Sequence, residues 1–234
     1  MTPCRIVALL LTAFALAGCG GAERAAGTAT LWVTRDRGSV VMLDAMVPSG
    51  QTLMRALRSR AKVETRYGGR FVQAIDGFEG SLSKRHDWFW FVNGLAGDRS
   101  AAEYRLRPGD VAWWDYRDWN RDAGLSVVVG AFPEPFLHGY GGKARPTAVV
   151  YTSRSQREDA SAVARRVHAK SKYSDASQVP AGWNVLELAP PGATRFVARQ
   201  RTPGGRPSGP VWVTFSGDVG MLLAGAYKRR FAVP

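Results

Sequence analysis

Between Asp87 and Trp119 the chain places five of its eight tryptophans, Trp88, Trp90, Trp113, Trp114 and Trp119, and this crowding restricts the fold more than any other feature. Two aromatic strands account for most of it. The first, Trp88 to Val92, ends in Asn93-Gly94, the dipeptide best suited to the positive backbone angles of a two-residue hairpin. The second, Val111 to Tyr116, follows Arg107-Pro108-Gly109-Asp110, where Pro and Gly suit the central positions of a type II turn. Side chains alternate along a strand. Trp88, Trp90 and Val92 therefore share one face, with Phe89 and Phe91 on the other. The same count sets Trp114 and Tyr116 opposite Val111 and Trp113. Both faces are apolar, so the sheet needs two covers: its own helix on one side and a second body on the other.

The preceding segments supply the rest of a small unit. Thr30 to Thr34 and Ser39 to Leu43 are β-rich and flank Arg35-Asp36-Arg37-Gly38, which reads as a hairpin. A helix is expected from Gln51 to about Ala61, because Leu53, Leu57 and Ala61 recur at four-residue spacing with Met54 beside them. Phe71 to Ile75 is a further strand. Two strands, a helix and about three strands is the order of a ubiquitin-like β-grasp.

Three stretches then carry a family resemblance: Ile75-Asp76-Gly77, Trp90-Phe91-Val92-Asn93-Gly94 and Tyr104-Arg105-Leu106-Arg107-Pro108-Gly109-Asp110. Over about residues 30–119 the chain resembles the family related to the C-terminal β-domain of transcobalamin and intrinsic factor. That resemblance implies a small, non-catalytic β-grasp module of exported bacterial proteins. In the vitamin carriers the module closes over a corrinoid bound beside an α/α-barrel, and no segment here is long or helical enough to make such a barrel. The expected fold class is α+β, with a β-grasp domain over residues 30–124 and a second small, basic α+β domain over 125–234.

The N-terminus points to the compartment. Arg5 precedes an apolar run from Ile6 to Leu16, too short to span a bilayer, and Leu16-Ala17-Gly18-Cys19 resembles a bacterial lipobox. The expectation is a signal peptide over residues 1–18, lipid on Cys19, a tether over 19–29, and a location on the extracytoplasmic face of the cell membrane. Cys4 would leave with the signal. The mature chain then holds a single cysteine, which excludes an internal disulfide, a zinc cluster and a thiol enzyme. The net charge is +13, most of it in the second half, and suits anionic lipid or wall polymer. Export disfavours nucleic acid as the partner.

In the second half, strands are expected at Ser126 to Gly130, Thr147 to Tyr151, Trp183 to Leu188, Arg195 to Arg199 and Val211 to Phe215. A helix should follow the capping-box pattern Ser155-x-x-Glu158. Ala131 to Gly142 reads as an aromatic Pro/Gly loop, flexible over His138 to Lys143. Within it, His138 to Lys143 only hints at a phosphate loop, since Leu137 and Ala144 stand where Gly and Ser or Thr are needed. Asp118 to Asp122 begins like a calcium loop, but Gly124 falls one place late and Val129 stands where a bidentate Glu is needed. The histidines His86, His138 and His168 lack metal spacing, and no Gly-x-Ser-x-Gly elbow occurs. No enzyme, metal or obligatory cofactor is therefore expected.

Five tryptophans exceed what so small a unit needs inside, so some should meet a partner. The candidate contacts are Trp88, Trp90, Trp114, Tyr116 and Trp119, stacking on a flat solute such as a corrinoid delivered to a transporter. The alternative is an interaction lipoprotein. In that case the tryptophan face docks the chain's own second half or a partner protein, and basic groups such as Arg165-Arg166, Arg195, Arg199, Arg201 and Lys228-Arg229-Arg230 rest on the anionic envelope.

Overall fold

The computed structural model of the protein describes residues 27–120, 124–202 and 206–234. The lipobox, Cys19 and most of the expected tether lie outside them. Strands β1 (Thr28–Arg35) and β2 (Val40–Pro48) form the expected hairpin. Thr28 and Ala29, assigned to the tether by composition, already pair with Pro48 and Val47.

Helix α1 (Leu53–Arg58) is shorter than its periodicity suggested. The Thr52 hydroxyl accepts from Arg55 N at 3.2 Å at its start. At its end the Ser59 hydroxyl folds back to donate to Ala56 O at 2.7 Å, and Lys62 N is taken by the Asp76 carboxylate at 2.8 Å. Ala61 N still reaches Leu57 O at 3.0 Å, but with Ala56 O capped by a side chain and Lys62 N held by Asp76 the chain leaves the helix there and enters a strand.

Strands β3 (Val63–Arg66), β4 (Phe71–Ile75) and β5 (Phe78–Glu79) form a small antiparallel sheet, of which β3 and β5 carry no strong sequence signal. Strands β6 (His86–Val92), β7 (Leu95–Ala96) and β8 (Val111–Asp118) return to the main sheet, whose order is β2-β1-β8-β6-β7. Only β1 and β8 run parallel. This order, with α1 bridging the first hairpin and the later strands, is the β-grasp arrangement.

The aromatic register is as the alternation requires: Trp88 faces Tyr116, Trp90 faces Trp114 and Phe91 faces Trp113. Asn93 and Gly94 have φ of 53° and 74°, the paired positive values of a tight hairpin. One face of the sheet buries Leu31, Val33, Trp88 and Trp114 against Leu53, Ala56 and Leu57 of α1. The opposite face packs Trp32, Phe91 and Trp113 against Val128, Ala131 and Phe231, so its cover comes from the second half of the chain.

That half forms a second mixed sheet from β9 (Thr147–Tyr151), β10 (Ser171–Tyr173), β11 (Asn184–Leu188), β12 (Arg195–Gln200) and β13 (Val211–Ser216). Its order is β10-β9-β11-β13-β12, parallel except for β12. Helices α2 (Arg157–Arg166) and α3 (Val219–Leu223) complete it. The whole is an α+β fold.

In this half two expectations change. Ser126 to Gly130 is not a ladder strand, because its backbone groups are shared among separate partners. Ala96 N donates to Ser126 O at 3.0 Å, Val128 N to Gly94 O at 2.8 Å, and Val129 N to Phe231 O at 3.2 Å. The segment is a buried seam, which explains its apolar sequence. The capping box lies two residues earlier than expected, on Ser153 and Gln156. A short 3-10 turn over Arg154–Gln156 precedes α2. The Gln156 amide also donates to Leu188 O and Ala189 O at 3.2 and 2.7 Å, tying the turn to β11.

Candidate functional site

The β3–β4 hairpin turns through Tyr67, Gly68 and Gly69, all at positive φ. This turn leaves Tyr67 78% and Phe71 39% exposed, packed edge to face at 6.1 Å. Between this hairpin and β6 lies a cleft of about 700 Å³, with Trp88, Trp90 and Gly97 among its lining residues. Tyr67, Phe71 and Asp87 also line an adjoining hollow of about 460 Å³ that reaches Ser81, Leu82 and Ser83. Together the two make a groove along one edge of β6. Gly97 is needed there: a β-carbon on it would lie 2.2 Å from the Trp90 ring.

The groove carries defined polar groups. The Asp87 carboxylate accepts from Trp88 N at 2.8 Å. Burial raises its pKa above the ordinary aspartate value, against the opposing pull of that bond and of Arg66. Around the rim, Arg66 pairs with Glu79 at 3.6 Å, Arg99 with Asp98 at 2.8 Å, and Arg70 with Glu103. Arg117, nearly fully buried, sets its guanidinium 4.1 Å from the Phe89 ring centre and 4.9 Å from that of Phe231.

The backbone edge of β6 is only partly closed. His86 exchanges two bonds with Ser81, at 2.8 and 3.1 Å, and Trp90 O accepts from Gly97 N at 3.0 Å. Between these points Trp88 C=O and Trp90 N–H make no hydrogen bond to any described residue.

Of the five aromatic residues nominated from sequence, the cleft brings together three. Trp88 and Trp114 are buried, and Trp90 is half-buried, with Tyr104 and Trp114 at 5.7 and 6.4 Å. The Trp88 indole N–H donates to Phe78 O at 2.7 Å, which holds its ring against the small sheet. Tyr116 lies outside the cleft, packed on Trp88 at 5.2 Å with its hydroxyl donating to Glu79 O at 2.9 Å. Trp119, half-buried, also lies outside, and its backbone N–H donates to Arg85 O at 3.0 Å. Sequence reasoning missed Tyr67, Phe71, Arg70 and Asp87. The Tyr-Gly-Gly turn at residues 67–69 was the available signal, since it presents an aromatic ring at a hairpin tip.

Away from the groove, the Ala131 to Gly142 loop is pinned rather than free. The Asn93 side chain donates to Asp110 and to Gly139 O at 2.8 and 2.7 Å. Gly141 N donates to the Tyr104 hydroxyl at 3.2 Å, and Glu134, buried, accepts from His138 N at 2.9 Å. Burial raises the pKa of both Asp110 and Glu134. The expected basic patch at Lys228-Arg229 is in fact a clamp: both cations pair with Asp44, at 3.2 and 2.5 Å, and lie over Trp32. Among the described residues no three His, Cys, Asp or Glu side chains gather as a metal site. Of the stretch from Asp118 that begins like a calcium loop, residues 121–123 lie outside the described residues. None of the described helices is long and apolar enough to cross a membrane.

A family profile described as a domain of unknown function, DUF4430, matches residues 50–118, from the turn before α1 to the end of β8. No curated protein matches the chain. Among solved structures, a candidate metal binding protein from Ruminococcus gnavus ATCC 29149 is similar at 18% identity and a TM-score of 0.32, covering 39% of this chain and 97% of that one. Haptocorrin in complex with Cbi is similar at 14% identity and a TM-score of 0.32, covering 38% of this chain. The match spans 25% of the haptocorrin chain.

Proposed function

We propose that the chain is a non-catalytic binding protein of the bacterial cell envelope, anchored by lipid on Cys19, with its site in the cleft along β6. The cleft is the observation that carries this reading. An aromatic-lined hollow with a half-buried indole and a few converging polar groups is the usual form of a ligand site. The non-catalytic role rests on the sequence, which offers neither a nucleophile elbow nor metal-spaced histidines. The anchor rests on the lipobox. Replacing Cys19 with Ala should move the protein from the membrane fraction to the soluble fraction; retention in the membrane would remove the lipid from the account.

Two classes of occupant divide the possibilities. A flat solute, such as a corrinoid awaiting a transporter, would lie on Trp90 and quench indole emission. Titrating the form lacking residues 1–19 with cobalamin tests this class. Quenching at tens of micromolar that disappears in Trp90→Ala supports it, and an unchanged signal over that range excludes a corrinoid. The second class is a partner protein, favoured by the open backbone groups of β6, which call for a hydrogen-bonding chain rather than a ring. In either case the exposed Arg165, Arg166, Arg195 and Arg199 would rest against anionic lipid or wall polymer. Salt-sensitive retention of the unlipidated protein on anionic vesicles is then expected.

A further inference from the structure

Three observations meet in the groove along β6. The first is the open part of its edge. Trp88 C=O and Trp90 N–H lie on either side of Phe89, on the edge turned away from β8, and are unpaired among the described residues. In a parallel ladder one residue donates to the carbonyl before its opposite number and accepts from the N–H after it. A single residue of a chain running parallel to β6 therefore satisfies both groups. The Ser81 bridge at one end and Gly97 at the other limit such pairing to a short stretch.

The second observation is apolar surface beside that edge. Tyr67, Phe71 and Leu82 are 78%, 39% and 84% exposed, and all three line the groove. The third is charge. The charged residues that line the two hollows and reach solvent are Arg66, Arg70 and Arg99 against Asp87, Arg117 being nearly fully buried. Arg66, Arg70 and Arg99 each lean on one acid at the rim, but exposed pairs of this kind are weak and exchange readily for another carboxylate.

We propose that the groove docks an extended acidic segment of a partner protein, added parallel to β6 as a short strand through Trp88 C=O and Trp90 N–H. This rests on the reading of the groove as the binding site and is independent of any solute. The main-chain bonds supply affinity and the alternating side chains supply selectivity. Apolar residues of the segment settle on Tyr67 and Phe71, and acidic ones reach Arg70 and Arg99. An anionic membrane surface would match the charge, but it offers no N–H and C=O at strand spacing.

The test uses the full-length protein in detergent micelles, with a phage-displayed library of random short peptides as the probe. Selection should enrich acidic sequences with apolar residues at alternate positions. The best of them, made synthetically, should shift the Trp90 amide resonance in a proton–nitrogen spectrum and should fail to bind when its backbone is N-methylated at the pairing residue. Affinity should fall about tenfold in the double variant R70E and R99E. Both side chains are well exposed, at 65% and 49%, and an unchanged melting temperature would verify folding. The proposal is overturned by no enrichment, by basic winners, by an unmoved Trp90 amide at saturation, or by equal affinity of the charge-reversed variant. Anionic vesicles that move the same amide would also overturn it. If cobalamin shifts the cleft resonances while no peptide is enriched, the peptide fails and the cleft survives as a site. If neither acts, both are lost.

Discussion

Asn93 shows how much one side chain can hold. It takes the positive φ of the hairpin turn, accepts from Val111 N at 2.8 Å through its amide oxygen, and donates through its nitrogen to Asp110 and Gly139 O. All of this happens at 0% exposure. Asn93→Ala should cost about 3 kcal/mol in chemical denaturation, because it strands buried donors and acceptors. Asn93→Asp should be worse at neutral pH, since it sets a carboxylate against Asp110 and a carbonyl, and should partly recover in mild acid. The carboxyl groups around it give the protein an unusual pH response. Burial raises the pKa of Asp110, Asp115 and Glu134 above the ordinary carboxyl value. A raised folded-state pKa means that the folded protein holds protons the unfolded chain has released. Stability from these groups is therefore full below the unfolded pKa and is lost as pH rises through the folded one. Melting should occur at higher temperature near about pH 5 than near about pH 8. Scanning calorimetry showing the reverse order would contradict the assignment.

At the scale of elements, the β1–β2 turn is the most tightly specified. Asp115, fully buried on β8, accepts from the Thr34 hydroxyl at 2.5 Å, Gly38 N at 3.0 Å and Arg37 N at 3.1 Å. The same Thr34 oxygen accepts from the Trp113 indole at 2.7 Å. The turn is thus fastened to the centre of the sheet from below. From above it is closed by the second half, since a β-carbon on Gly38 would fall 1.7 Å from Arg229 O. With φ at 81° as well, Gly38→Ala should lower stability by about 2 kcal/mol or more and loosen the C-terminal segment. Hydrogen exchange at Arg229 N, which bonds to Gly130 O at 2.9 Å, would report that loosening. By contrast Thr52→Ala, at the exposed start of α1, should cost only about 1 kcal/mol.

At the scale of the molecule, the two sheets are not independent bodies. Phe231, three residues from the C-terminus, stands 5.1 Å from Trp113 and 5.4 Å from Phe91, closing the outer face of the first sheet. Phe231→Ala should destabilise the fold by about 3 kcal/mol and shift tryptophan emission to the red as water reaches Trp113. A fragment ending at residue 120 should bind a hydrophobic dye and aggregate, because Trp32, Phe91 and Trp113 would lose Val128, Ala131 and Phe231. A soluble, monomeric, dye-silent fragment would show that the first sheet can hide its own rings. The surplus of indoles is thus met largely inside the chain, and the half-buried Trp90 is left beside the open groove.

The local sequence was enough for whatever depends on short-range geometry. Alternation fixed the faces of β6 and β8, Asn93-Gly94 and Pro108-Gly109 placed the turns, and the succession of β-rich and helix-periodic segments anticipated the β-grasp order. The apolar seam at Ser126 to Gly130 has the sequence of a strand, since burial alone cannot tell a ladder from backbone bonds spread over several partners. Only the tertiary structure could bring Phe231 and Val128 onto Trp113, or turn Lys228 and Arg229 from a surface patch into a clamp on Asp44. The groove is of the same kind. Trp90 stands out in the sequence, but Asp87 and Gly97 do not, and with Tyr67 they become a site because two β-sheets meet beside a strand edge that neither one covers.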